Sequence, residues 1–193
     1  PEDCNHLLTF ILGLVLFILP HLLKDLTLRD QIKKQMPSEK AYLALFSAVS
    51  LAGVGLIIWG KSTASFYMIW EPPFEQRYVA SLLMIPASIM AIAGVISNSY
   101  IRWYLRNPLL FGVTFWAAAH LWTNGDLASI LLFASFGVWS ATKLITLRQN
   151  SADLKPELKW LRHDLMAVIF GSIIYITIFV NHGYLFGVGL ATQ

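Results

Sequence analysis

Charged residues divide the chain into six long uncharged stretches, at 4–23, 41–60, 78–101, 107–125, 127–142 and 165–193. About 20 apolar residues, rising roughly 1.5 Å each, carry a helix across the hydrocarbon of a bilayer, so each stretch can hold one span. The last, with 29 residues, has room for one span and a tail. The 36 residues from Asn107 to Thr142 contain Asn124-Gly125-Asp126. They predict two short helices joined by a tight turn at the membrane surface. The pattern therefore predicts an all-α, polytopic membrane protein with six transmembrane helices, at about 5–23, 41–60, 79–100, 107–123, 127–143 and 164–182. No repeat and no low-complexity tract interrupts it, which gives a single membrane domain over 1–193.

The basic residues add an orientation. Five Lys and Arg fall in the first loop, two in the third and five in the fifth, against two in all the other connections and tails together. Basic segments resist translocation, so both termini are expected outside, in the periplasm of a bacterium, with the protein in the inner membrane. Pro1-Glu2-Asp3-Cys4 lacks the basic region and small-residue cleavage site of a signal peptide, so the first span is expected to be retained. Trp70-Glu71-Pro72-Pro73 reads as an ordered interfacial turn.

Composition agrees: 56% of residues are apolar and 13% charged, where soluble domains have about 45–50% and about 25%. The mean hydropathy is +0.61. A disordered segment is excluded, and one cysteine excludes a disulfide-stapled module. The net charge of +3 is accounted for by loop orientation, so the expected partner is the lipid bilayer and not nucleic acid. No phosphate-binding loop, nucleophile elbow, zinc-protease helix, dinucleotide fingerprint or covalent haem-attachment motif occurs.

Ionisable groups inside apolar spans are costly and need a named partner. His120 sits in Phe115-Trp116-Ala117-Ala118-Ala119-His120, where alanines admit a close neighbour and Trp116 shares the histidine's face at i−4. His21 follows Pro20 near the end of the first span, with Phe17 at i−4. Pro20 frees the Leu16 carbonyl beside it. Two readings stay open for each: a hydrogen bond to a carbonyl of the next helix, or an axial nitrogen for haem iron, since a flat macrocycle between helices needs small and aromatic neighbours. His6 and His182 are expected at the outer interface. Arg162-His163-Asp164 is expected to open the last span as a cap and headgroup anchor. Asp126 or Asn124 is expected to cap the fifth. Depth counting puts His21 near the inner end and His120 nearer the outer, which makes His182 the depth-matched rival partner for His120.

Several strings, in order, resemble the NnrU family of bacterial integral membrane proteins. They are the F-x-x-x-H-L-L end of the first span at Phe17–Leu23, the L-F-S-x-V-S-L-A-G…W-G span at Leu45–Gly60 and Trp70-Glu71-Pro72-Pro73. Further along come Arg106-Asn107-Pro108, Trp116-Ala117-x-x-His120-Leu121, Asn124-Gly125-Asp126-Leu127-Ala128-Ser129 and a Leu-Phe-Gly-Val tail after His182. Together they run from about residue 7 to 190. That family is associated with nitrite and nitric oxide reduction in denitrification and is similar to plant ζ-carotene isomerase, a haem b membrane enzyme. The resemblance implies a haem b site with His21 and His120 as ligands and Phe17 and Trp116 beside them. It also implies a respiratory or nitrogen-oxide reductase membrane partner, or self-association. A polyene cis–trans isomerase and a haem-free accessory subunit are the alternatives. One position departs from the family pattern: Asn107 stands where Arg-His-Pro is usual, and an amide neither titrates near neutrality nor readily binds iron.

Overall fold

A computed structural model describes residues 2–23, 28–73, 75, 77–147 and 160–187. The chain order is α1 (Glu2–Leu23), α2 (Leu28–Gln35), α3 (Glu39–Thr63), α4 (Arg77–Val95), α5 (Tyr100–Leu105), α6 (Pro108–Thr123), α7 (Leu127–Leu147) and α8 (Trp160–Phe186). Among the described residues 86% are helical and none lies in a strand. In lipid every backbone amide and carbonyl needs an internal partner, and a helix supplies one to each residue from within the segment. Five helices are long and apolar enough to cross a membrane: Asn5–Leu22 within α1, α3, α4, α7 and α8. The chain is a multi-pass membrane protein.

α6, with 16 residues, spans roughly 24 Å and is shorter than the roughly 30 Å of hydrocarbon. The helix lies close to the expected 107–123 and ends at the expected turn, but its length does not meet the requirement for a span, so five of the six expected crossings satisfy it. Other boundaries move for local reasons. α4, the third expected span, ends at Val95, not near 100, because Asn98 takes a positive φ of 59° and breaks the run before α5 starts at Tyr100, capped by Ser99. The last helix, described from Trp160, continues past His182 to Phe186. α3 and α7 run on past Lys61 and Lys143, since a lysine at a helix end can carry its ammonium toward the interface without ending the helix. Lys24, Arg148, Lys155, Lys159 and residues 188–193, which entered the charge count or the tail motif, lie outside the described residues.

The chain forms two compact units. The first comprises Pro1–Glu71 and Asn124–Trp139. In it α1 and α3 run antiparallel at close approach. A Cβ on Gly60 would lie 2.6 Å from Phe10 Cα, and one on Gly13 2.7 Å from the Ile57 amide nitrogen. Glycine is required there by the neighbouring backbone. Phe10, Leu14, Ile57 and Ala128 form the buried core of this unit. Ser38 caps α3 by accepting from the Ala41 amide at 3.1 Å. At the same end α2 sets Arg29 and Lys33 over the Tyr42 ring, 5.9 and 5.8 Å from its centre.

At the other end of α3 the chain turns through 64–71 and pairs with the turn before α7. The Ile69 amide donates to the Gly125 carbonyl at 2.8 Å and the Leu127 amide to the Tyr67 carbonyl at 2.9 Å, with Met68 and Asp126 in an isolated antiparallel bridge.

The second unit comprises Pro72–Thr123 and Ser140–Gln193. α4 packs against α6 and α8 through small residues: a Cβ on Gly112 would lie 2.7 Å from the Ala87 carbonyl oxygen, and one on Gly171 2.6 Å from Ile89 Cα. Ser140 is fully buried and shares a 2.9 Å hydrogen bond with Thr114. Between α5 and α6, Arg106 adopts φ 63° and ψ −49° while the Asn107 amide donates to the Leu105 carbonyl at 2.7 Å. That is a γ-turn of the rarer, strained hand. Pro108 follows as the first helical residue of α6, where its missing amide hydrogen costs nothing.

Candidate functional site

The two histidines singled out in the sequence fall in different units, His21 in the first and His120 in the second. Their local arrangements match. His21 Nδ1 lies 2.6 Å from the carbonyl oxygen of Phe17, and His120 Nδ1 lies 2.9 Å from that of Trp116. In each case that acceptor is the i−4 carbonyl of the histidine's own helix. A carbonyl oxygen can only accept, so Nδ1 carries the hydrogen. The other ring nitrogen, Nε2, then holds the lone pair in the neutral imidazole.

Each histidine also touches the aromatic ring one turn back. Phe17 stacks on His21 with centroids 4.6 Å apart, and Trp116 tilts against His120 at 5.4 Å. Phe17 and Trp116 thus each stand against the histidine one turn further along the same helix.

Around His21 the cage is wider than the sequence suggested. Phe46 of α3 lies 5.0 Å away and Trp139 of α7 meets the imidazole nearly at right angles at 5.9 Å, while Phe136 packs on Phe17 at 5.4 Å. The Trp139 indole nitrogen is buried and has no hydrogen-bond partner among the described residues. A buried donor in that state costs about 1–3 kcal/mol, so it is a group with reason to meet an acceptor. The Phe136 and Trp139 spacing of three was readable as one helix face, but nothing in the sequence said that this face meets α1.

In the second unit His182 lies within electrostatic range of His120 and packs on Phe186 at 4.9 Å. His182 is half-buried within α8, short of the helix end. His163 and Asp164 do something other than cap their own helix. Asp164 Oδ2 and Oδ1 accept from the Tyr100 and Ile101 amides, both at 3.0 Å, and His163 Nδ1 lies 3.0 Å from the Asn98 carbonyl oxygen. The pair holds the start of α5 against α8.

Asp126 caps α7 as expected, accepting from the Ser129 amide at 2.9 Å, and the same Oδ2 accepts from Lys61 Nζ at 2.9 Å. The ion pair was not foreseen, because Lys61 counted only as a loop charge. Burial raises the Asp126 carboxyl, but the Ser129 and Lys61 hydrogen bonds and the lysine's charge hold it below the ordinary carboxylate value. Among the described residues no group of three or more His, Cys, Asp or Glu gathers as a metal-ion cage.

The fold and these two aromatic-flanked imidazoles define an all-helical multi-pass membrane protein. The chain belongs to the NnrU family: residues 9–190 match the family model described as NnrU protein. The comparisons with curated proteins and with solved structures give no match.

Proposed function

We propose that the protein binds haem b through histidine imidazoles, His21 and His120 being the axial ligands, and serves nitrite and nitric oxide reduction in the bacterial inner membrane. One observation carries the ligand assignment. Both histidines give their Nδ1 hydrogen to an i−4 carbonyl, which orients the ring and makes Nε2 the nitrogen that would meet iron. Metal-binding histidines are commonly oriented in this way, by a hydrogen bond from the other ring nitrogen. Phe17, Phe46 and Trp139 supply flat apolar walls at His21, and Trp116 does so at His120. The Trp139 indole adds a buried donor that a bound group can use. These residues fit a macrocycle held by imidazole. When bound, haem supplies a redox-active iron whose potential the axial nitrogens and the dry surroundings tune.

Membership of the NnrU family is what supports the nitrogen-oxide role. A respiratory or nitrogen-oxide reductase partner in the membrane, or a second copy, is part of this proposal. So is a topology in which α6 makes a sixth, short crossing and both termini lie outside. His182 is the rival ligand because of its proximity to His120.

The deciding experiment is an absorption spectrum with pyridine haemochrome analysis of the purified protein. A low-spin b-type spectrum is expected, lost or converted in His21→Ala and in His120→Ala and unchanged in His163→Ala. Protein purified from haem-replete cells without a Soret band would sink the proposal. Retention of the spectrum in His21→Ala together with its loss in His182→Ala would move the assignment to the rival pair.

A further inference from the structure

We propose that the segment Phe66–Trp70 is a fixed interfacial anchor, seated among the lipid headgroups and upper acyl chains of the leaflet at the end of α3 away from α2. Five consecutive large side chains, Phe66, Tyr67, Met68, Ile69 and Trp70, are exposed, Phe66 at 71% and Ile69 at 60%. No charge interrupts them. Water is an unfavourable surrounding for such a run, at about 25 cal/mol for each Å² left exposed.

Three further observations select lipid as the occupant. The run continues a surface already assigned to the membrane: Ile58 and Trp59, in the last turns of the span α3, are also exposed. Its backbone is tied into the protein at three points, where the Ile69 and Trp70 amides donate to the Gly125 carbonyl at 2.8 and 3.3 Å and the Tyr67 carbonyl accepts from the Leu127 amide at 2.9 Å. A non-helical segment can lie at membrane depth only when its amides and carbonyls are paired within the protein. Its chemistry is that of the interface, with Tyr67 and Trp70 offering an apolar body and a polar tip. The basic α2 stands at the opposite end of this unit, so the anchor and the lysine and arginine cluster address different leaflets. The proposal rests on membrane embedding and is independent of haem.

The test uses the full chain in nanodiscs of phosphatidylcholine and phosphatidylglycerol, with Cys4→Ser as background and an environment-sensitive fluorophore on Ile69→Cys or Phe66→Cys. Leu51→Cys, on the exposed face midway along α3, serves as the deep reference. Blue-shifted emission is expected at 66 and 69, quenched strongly by lipids carrying a nitroxide near the headgroup, weakly by lipids carrying it at the chain end, and hardly by aqueous iodide. Position 51 should show the reverse lipid preference. Water-like emission with full iodide quenching would overturn the anchor. Blue-shifted emission that neither lipid quencher reaches would also overturn it, because the segment would then be covered by protein.

Discussion

A single carboxylate oxygen illustrates what individual residues decide here. Asp126 Oδ2 accepts from both the Ser129 amide and Lys61 Nζ, so it caps α7 and ties that cap to the end of α3. Its folded pKa lies below the ordinary value near 3.8. The stabilisation it gives is therefore complete above that value and is lost as the pH falls through the lower, folded one. Thermal unfolding in detergent should show an acid-side decline that Asp126→Asn removes, while Asp126→Ala at neutral pH should cost a further increment of about 1 kcal/mol for the lost cap. A second residue-scale outcome concerns Trp139. Replacing it with Phe keeps a flat ring against His21 and deletes the buried N–H. If that group meets an acceptor on a bound macrocycle, the midpoint potential or the resonance Raman modes of the cofactor side chains should shift with the ligation state unchanged. An identical potential and identical Raman modes would show that the indole hydrogen has no such partner.

At the scale of elements, legibility depended on whether the information was local. The helices at 41–60, 127–143 and 164–182 were readable because an uncharged run and its flanking charges are local. So was a cap at the turn before α7, where the sequence offered Asp126 or Asn124 and the structure uses Asp126. The i−4 aromatics of His21 and His120 follow from helical periodicity alone. What could not be read was which helix meets which. The Lys61 partner lies 65 residues along the chain, the Trp139 contact joins α7 to α1, and Asp164 reaches back to cap α5, the three joined only by tertiary packing. The close α1–α3 approach gives an element-scale expectation: Gly60→Ala should cost about 1–3 kcal/mol, because the methyl group meets the backbone of Phe10 and not a side chain that could turn aside. Gly55→Ala, where a Cβ meets nothing within 4 Å, should be neutral or slightly stabilising in the same unfolding assay.

For the whole molecule the open quantity is parity. Five helices satisfy the length requirement and α6 does not, yet twelve of the fourteen basic residues lie in alternate connections of a six-span scheme. An extra crossing changes the side on which every later loop emerges, so the C-terminus reports on α6. Reporter fusions after Lys34 and at Gln193 should fall on opposite sides of the membrane, with the C-terminus outside. A C-terminus on the same side as Lys34 would mean that α6 enters without crossing. A short helix can cross by thinning the bilayer around it or by carrying its flanking residues toward the interface, at a cost of fractions of a kcal/mol per Å of mismatch.

The backbone at Arg106 has an evolutionary consequence. A side chain held at φ 63° and ψ −49° is a standing cost of about 1–3 kcal/mol, which a glycine would largely avoid. Selection for durability alone would favour the smaller residue. Arg106→Gly should therefore raise the melting temperature, and in a population selected only for thermal tolerance it should appear early. In cells grown on nitrite the same change should be counter-selected if the guanidinium, set over the Trp103 ring, serves the protein's activity. Competition between the two strains under the two regimes would then separate what this loop does for folding from what it does for the cell.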